Sequence, residues 1–282
     1  MNKPTSDSPR PHAGVHPTRT ELLADFGDEY LSIPSLFAFC FVPGGRLAFL
    51  REIVAEEEWG GNNFVLLKYL AVHVRLAIES GSYVWNGDQI VLTAGRLATA
   101  EGAQVYLGLV RNQNVGENPW VLNWVGERPN APELPSVPSL GSWPALDPSL
   151  EVVLSYDFES TKGQARLGPL ASQTTTVQYA ALAGAISWAM RRGLSVPQIF
   201  GGGRGYLVPV YLSSRDDLTS PPELVAHLVV QSDRVVARNL FEPHVAYPSA
   251  RACVERWELL PSWLVSSWED AVDGDPSSDD DD

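Results

Sequence analysis

Apolar residues recur at helical spacing in two long stretches and alternate with polar ones in several shorter runs, and this division outlines the fold. The first long stretch, "NNFVLLKYLAVHVRLAIESG" (62–81), reduces its polar side to Lys68, Arg75 and Glu79, a single stripe. Such a pattern predicts a helix buried over most of its circumference. Asn62 or Asn63 is placed to cap it and Gly81 to end it. The second, "TTTVQYAALAGAISWAMRRGL" (174–194), starts on a threonine cap and stops at Gly193. Its small residues, Ala180, Ala181, Ala183, Gly184 and Ala185, permit close approach of another element. A shorter helix comes after the turn Pro43-Gly44-Gly45, with Leu47, Leu50, Ile53 and Val54 on one side and a solvated acidic end at Glu56 to Glu58.

The period changes to two over 83–125. "SYVWNGDQIVLTAG" (82–95) places Asn86-Gly87 between alternating runs, a strong hairpin signal. "AQVYLGLVRN", "PWVLNWVG" and "SLEVVLSYDF" read as further strands, and so do "VPQIF", "YLVPVYL" and the runs near 223–231 and 234–240. A short helix is expected around 247–256. Residues 126–149 hold six prolines and little periodicity, which predicts a connection without helix or strand. Helices and strands mix without regular alternation and no internal repeat is legible. The expectation is one α+β domain over 29–268, a mixed or mainly antiparallel sheet packed by helices, between a disordered leader (1–28) and an acidic disordered tail (269–282).

The formal charge of −14 suggests an acidic protein that repels nucleic acid, yet the acidity is unevenly placed. Residues 263–282 hold eight acids and no base, ending in "SSDDDD", while the middle of the chain is nearly balanced. Among its bases, arginines greatly outnumber the two lysines, Lys68 and Lys162, which favours planar, bidentate contacts over diffuse positive potential. No run of about 18 uncharged apolar residues and no leader with an apolar centre occurs, so no membrane association is expected and the cytoplasm is the expected compartment. Two isolated cysteines, Cys40 and Cys253, read as buried thiols.

The stretch "SVPQIFGGGRGYLVPVYL" (195–212) invites a phosphate cradle, but the run after its glycines is strand-like, with Pro209 against a helix and no Lys-Ser or Lys-Thr. A glycine-filled hairpin turn joining "VPQIF" to "YLVPVYL", with Arg204 solvent-facing at its tip, is the better reading. His73 reads as a core histidine and His227 as a strand residue; no histidine spacing makes a metal site, and no cofactor is expected. Asp157 and Glu159 would share one strand face, where paired carboxylates can do acid-base work, though a solvated face is commoner. "RNLFEPHVAYPSAR" (238–251) concentrates Arg238, His244, Tyr247 and Arg251, enough for an anion or nucleotide pocket or for a loop tied down by its own hydrogen bonds.

Several segments in order resemble a bacterial family catalogued as domain of unknown function 3825. They include "LFAFCFVPGGRLAFLREIVAEEEWG", "LLKYLAVHVRLAIESG", "VPQIFGGGRGYLVPVYL" and "AYPSARACVERWELLPSWL", and they span roughly 31–264. Near 95–99, where the family commonly carries an asparagine, this chain has "GRLAT". The resemblance implies a setting in RNA metabolism and carries no catalytic residues. With no catalytic or DNA-binding motif in the sequence, the expectation is a non-enzymatic module in RNA-associated regulation. It would bind RNA or an RNA-binding protein through Arg204, Arg238 and Arg251. One alternative is a nucleotide- or phosphoester-handling enzyme using Arg238, His244, Tyr247 and Arg251; another is a protein-interaction scaffold with an exposed aromatic patch.

Overall fold

The computed structural model describes residues 16–26, 32–114, 118–200 and 203–273. Its fold class is α+β, with two five-stranded mixed sheets where the sequence suggests one. After α1 (Arg19–Asp25) and α2 (Ile33–Phe39), the chain runs β1 (Cys40–Phe41), α3 (Gly44–Ile53), a 3-10 turn at Gly61–Asn63 and α4 (Phe64–Ser80). The strands β2 (Tyr83–Asn86), β3 (Gln89–Ala98), β4 (Gln104–Arg111) and β5 (Trp120–Gly126) come next as an antiparallel meander. Strand β1 then lies parallel to β5, giving the order β1-β5-β4-β3-β2.

The same path is walked a second time. β6 (Glu151–Leu154), α5 (Thr161–Arg166), a 3-10 turn at Gly168–Leu170 and α6 (Thr175–Arg191) lead into a second meander. That meander comprises β7 (Val196–Phe200), β8 (Gly203–Val210), β9 (Leu224–Val230) and β10 (Arg234–Phe241). β6 lies parallel to β10, giving β6-β10-β9-β8-β7. Helices α4 and α6 are each seventeen residues long, and each is followed by a glycine at φ 70°, Gly81 and Gly193. The repeat that the sequence hides is therefore plain in the topology.

Three elements come after the second half: α7 (Pro243–Arg251), a 3-10 turn at Trp257–Leu259 and α8 (Ser262–Asp273). α4 packs on β3 on one side and meets α1, α2 and α7 on others, while α7 also covers β7, β8 and β9. Period two then splits the second sheet: Leu207 and Val225 join the core built around α4, whereas Val208, Val210, Ala226 and Leu228 face Leu182, Ile186 and Ala189 of α6. The proline-rich residues 127–150 connect the halves without helix or strand. Three hydrogen bonds fasten them to the second sheet: Trp143 Nε1 donates to Gln198 O (3.2 Å), Arg204 Nε donates to Leu140 O (2.7 Å), and the carbonyl of Pro144 accepts from Tyr206 Oη (2.7 Å).

Several boundaries differ from expectation. The leader expected over 1–28 contains α1, whose Thr18 and Glu21 form a reciprocal capping box. Leu22 and Phe26 are buried beneath it, and burying a leucine contributes about 2 kcal/mol, enough to anchor so short a helix. At the other end, α8 runs through Asp273, into the tail expected from 269, because Trp263, Leu264 and Trp268 sit on one buried face. The hairpin loop is Gly87-Asp88, since Asn86 pairs with Gln89. Strand β6 ends at Leu154, so Asp157 and Glu159 share no strand face. Instead Asp157 accepts the amides of Glu159 and Ser160 (both 3.1 Å), which hold its carboxyl below the usual range. The β7–β8 hairpin forms, pairing from Val196↔Leu207 to Phe200↔Gly203, so Arg204 lies within β8 opposite Ile199 and not in the turn; Gly201 and Gly202 lie outside the described residues.

Candidate functional site

Helix α7 opens on Pro243, whose missing N–H costs nothing at the first helical position. Covered by α4 on one side and the second sheet on the other, it buries six consecutive residues from Ala246 to Arg251. A guanidinium taken out of water in this way requires a counter-charge and acceptors. Glu57, on the segment after α3, supplies both: Arg251 Nε donates to Oε1 at 2.6 Å and Nη2 to Oε2 at 2.8 Å. Nη1 donates to the carbonyl of Val254 (3.1 Å), and the guanidinium lies 5.0 Å from the Tyr69 ring and 5.6 Å from that of Trp59. One turn earlier, Tyr247 donates to Glu57 Oε1 (3.4 Å) and stacks on Trp268 at 5.1 Å. Burial pushes the Glu57 carboxyl up, against the pull of Arg251. Burial also works against the charge on Arg251, but Glu57 outweighs it and the arginine stays protonated.

Behind this pair, α4 contributes Tyr69 and His73, stacked at 4.1 Å. Tyr69 Oη accepts the Arg96 amide (2.7 Å), and burial pushes its hydroxyl up to about 12. His73 Nε2 donates to Ala252 O (3.0 Å), leaving Nδ1 as an acceptor with no partner. Burial lowers its pKa to about 3, so it is a neutral core histidine as the sequence suggests. Both rings fit only because β3 carries Gly95 there: a Cβ would lie 2.4 Å from His73 Cγ and 2.8 Å from Tyr69 Oη.

Two clefts open on either side of the segment 56–59. The smaller, about 250 Å³, has Glu57 and Arg251 among its lining, with the ion pairs Arg96–Glu255 and Arg256–Glu258 at its sides. The larger, about 440 Å³, is lined by Glu56, Glu57, Glu58 and Glu269, with Arg51 as the one basic residue. Its aromatic lining is Trp59, Tyr247, Trp257 and Trp268. The Trp268 indole is fixed by donating to Glu58 O (3.0 Å) and by lying against Gly60, where a Cβ would come within 2.6 Å of the ring. Glu58 itself accepts the Gly60 amide (2.9 Å).

Of the residues singled out from sequence, Tyr247 and Arg251 meet at Glu57, while no hydrogen bond or ion pair joins Arg204, Arg238 or His244 to that group among the described residues. Arg204 donates to Leu140 O (2.7 Å) and lies 6.0 Å from the Trp143 ring, fastening the connection between the halves. Arg238 is exposed on β10, and His244 Nδ1 sits 3.8 Å from Glu242. The residues that sequence reasoning passes over are Glu57, Trp59, Trp268 and Glu269. Glu57 belongs to an acidic run that reads as surface, although its neighbour Trp59 is a signal that the segment turns inward. Trp257 is half-buried in the cleft.

Among the described residues no three His, Cys, Asp or Glu side chains come together to hold a metal ion, and no helix is long and apolar enough to cross a membrane. Both cysteines have their thiols pushed up to about 12 by burial, which leaves them poor nucleophiles. The arrangement can hold a ligand by charge and aromatic contact. Comparison with protein-family models, curated proteins and solved structures finds no match.

Proposed function

We propose that the protein is a non-enzymatic interaction module in RNA-associated regulation, engaging an RNA-binding protein in preference to an RNA strand. The RNA setting is supported by the family resemblance of the sequence. The choice of partner is carried by one observation, the fate of Arg251: an RNA path would need its guanidinium at the surface, and it is 3% exposed in a bidentate pair with Glu57. Arg204 is already engaged by the backbone of Leu140, and the large cleft beside Arg251 presents carboxylates where a phosphate chain would need bases. Direct RNA contact by the three arginines together would give an affinity that falls steeply with salt.

Fluorescence anisotropy with labelled single-stranded RNA tests this reading. The expected outcome is no saturable binding by the protein alone, even at low salt. Tight binding with a steep salt dependence, weakened by Arg204→Ala and Arg238→Ala, would overturn it in favour of direct RNA recognition.

A further inference from the structure

The large cleft combines two features that favour the same kind of ligand. Its walls are aromatic, and aromatic faces attract cations, the more so when water is excluded. Its rim is acidic, with Glu56 and Glu269 both exposed and engaged in no hydrogen bond or ion pair among the described residues. Four carboxylates face one guanidinium, Arg51, and one of the four, Glu57, is already neutralised from inside by Arg251. The excess is negative at the mouth of a recess large enough for a side chain. Deeper in, the protein shows how it holds a guanidinium: Arg251 lies over Trp59 and Tyr69 with a carboxylate clamped along its edge. The chain that continues past α8, whose Trp268 and Glu269 form one wall, carries Asp275 and Asp279 to Asp282. The charge of the cleft therefore complements a basic segment.

We infer that the cleft between the segment 56–59 and α8 receives an arginine side chain from a basic peptide segment. The guanidinium stacks on the Trp257 side of the recess and pairs with Glu56 and Glu269. The inference rests on the reading of the protein as an interaction module and names the chemistry of its partner. Arginine is favoured over lysine because its flat cation both stacks and meets a carboxylate through two parallel hydrogen bonds.

The test monitors tryptophan fluorescence of the full chain on titration with a nine-residue peptide alternating arginine and glycine. The lysine version of that peptide and N-acetyl-arginine amide are run beside it. Saturable binding of the arginine peptide is expected, several-fold tighter than either comparator. The double variant Glu56→Gln/Glu269→Gln should weaken it about tenfold, equivalent to ~1.4 kcal/mol. Both residues are exposed, so the melting temperature should be unchanged. Glu133→Gln/Glu159→Gln removes the same charge from exposed sites elsewhere and should leave binding as it was. Equal weakening by the two double variants would overturn the cleft assignment, reducing the effect to net charge. Equal affinity for the single arginine amide and the peptide would overturn the peptide source. Peptide binding unaffected by Glu56→Gln/Glu269→Gln would overturn the cleft while leaving the module reading standing. Absence of peptide binding would also overturn the cleft, with the module reading then judged by the RNA titration.

Discussion

The two halves of this molecule share a path and differ in where that path lies. In the first, α4 buries twelve of its seventeen residues because sheet, α1, α2 and α7 surround it. In the second, α6 buries six of seventeen; it covers one face of its sheet and turns Val177 and Tyr179 to the outside. One topology therefore supports a central helix and a peripheral one. The candidate site grows from the central position: a helix whose solvent edge is reduced to a narrow stripe takes other polar residues inward, and Tyr69 and His73 meet α7 and the segment carrying Glu57 there. The peripheral helix, with a free face, has no need of such an arrangement, and its one fully buried polar side chain, Gln178, is satisfied locally by Gln164 and the Leu170 carbonyl.

The sharpest way to break this contrast is to remove one buried charge beside the central helix and one exposed charge from the second half. Arg251→Leu leaves Glu57 buried and uncompensated, and breaking such a pair costs about 3–5 kcal/mol. Urea denaturation should show the loss, and Glu57→Leu added to Arg251→Leu should recover much of it. A double variant no more stable than the single would show that packing around the arginine, and not the orphaned carboxylate, sets the cost. The counterpart is Arg234→Leu in the second half, whose pair with Asp233 is exposed on both sides. Its urea midpoint should not move.

Next in size is Gly95→Ala. Its φ of 59° disfavours any side chain, and the new Cβ would meet His73 and Tyr69 inside contact distance. Positive φ and overpacking together should cost about 3 kcal/mol in the urea midpoint converted to free energy. A loss below about 1 kcal/mol would mean that α4 can move away from β3, contrary to its packing between the sheet, α1, α2 and α7.

The same contrast explains what can be read from the sequence. α4 is legible because its surroundings are apolar almost all round, and the β7–β8 hairpin because two apolar runs flank its glycines and Pro209 forbids a helix after them. The repeat is not legible: equivalent helices in different layers need different residues, so α4 and α6 share length, glycine stop and connections but no apolar pattern. Glu57 is hidden for another reason. Its partner is 194 residues away, and nothing local distinguishes it from Glu56 and Glu58. Tyr247 and Arg251 stand out by the density of polar groups around them, which signals a structural knot as much as a ligand site. No helix over 262–273 is read from the sequence, and the last turn of α8 is assigned to the tail, because the acidic run masks the end of an amphipathic helix.

Each half also buries a histidine, His73 in α4 and His227 in β9. Burial lowers both below the ordinary 6.5, to about 3 and about 4, with Arg238 adding to the effect at His227. Between those values and 6.5 the unfolded chain binds protons that the folded chain refuses. Stability present above 6.5 is therefore lost as pH falls, levelling off below the folded values. From pH 7 to pH 5 each histidine should account for about 2 kcal/mol. Denaturation of His73→Gln and of His227→Gln at the two pH values should each show a shallower loss than the parent. If only one does so, the other half is opening to admit the proton.

The smallest effect runs the opposite way. Gly184 lies in the middle of α6 on its exposed side, and a Cβ there would meet nothing within 4 Å. Alanine is favoured over glycine inside a helix by about 1 kcal/mol, chiefly because the unfolded glycine has more freedom to lose. Gly184→Ala should therefore stabilise the protein by up to that amount in urea denaturation. Gly95 and Gly184 sit in matching halves of one topology, and the same substitution should move them in opposite directions, since one faces an enclosed helix and the other faces water. A destabilising Gly184→Ala would show that something packs on the outer face of α6 after all, and the distinction between a central and a peripheral helix would fall with it.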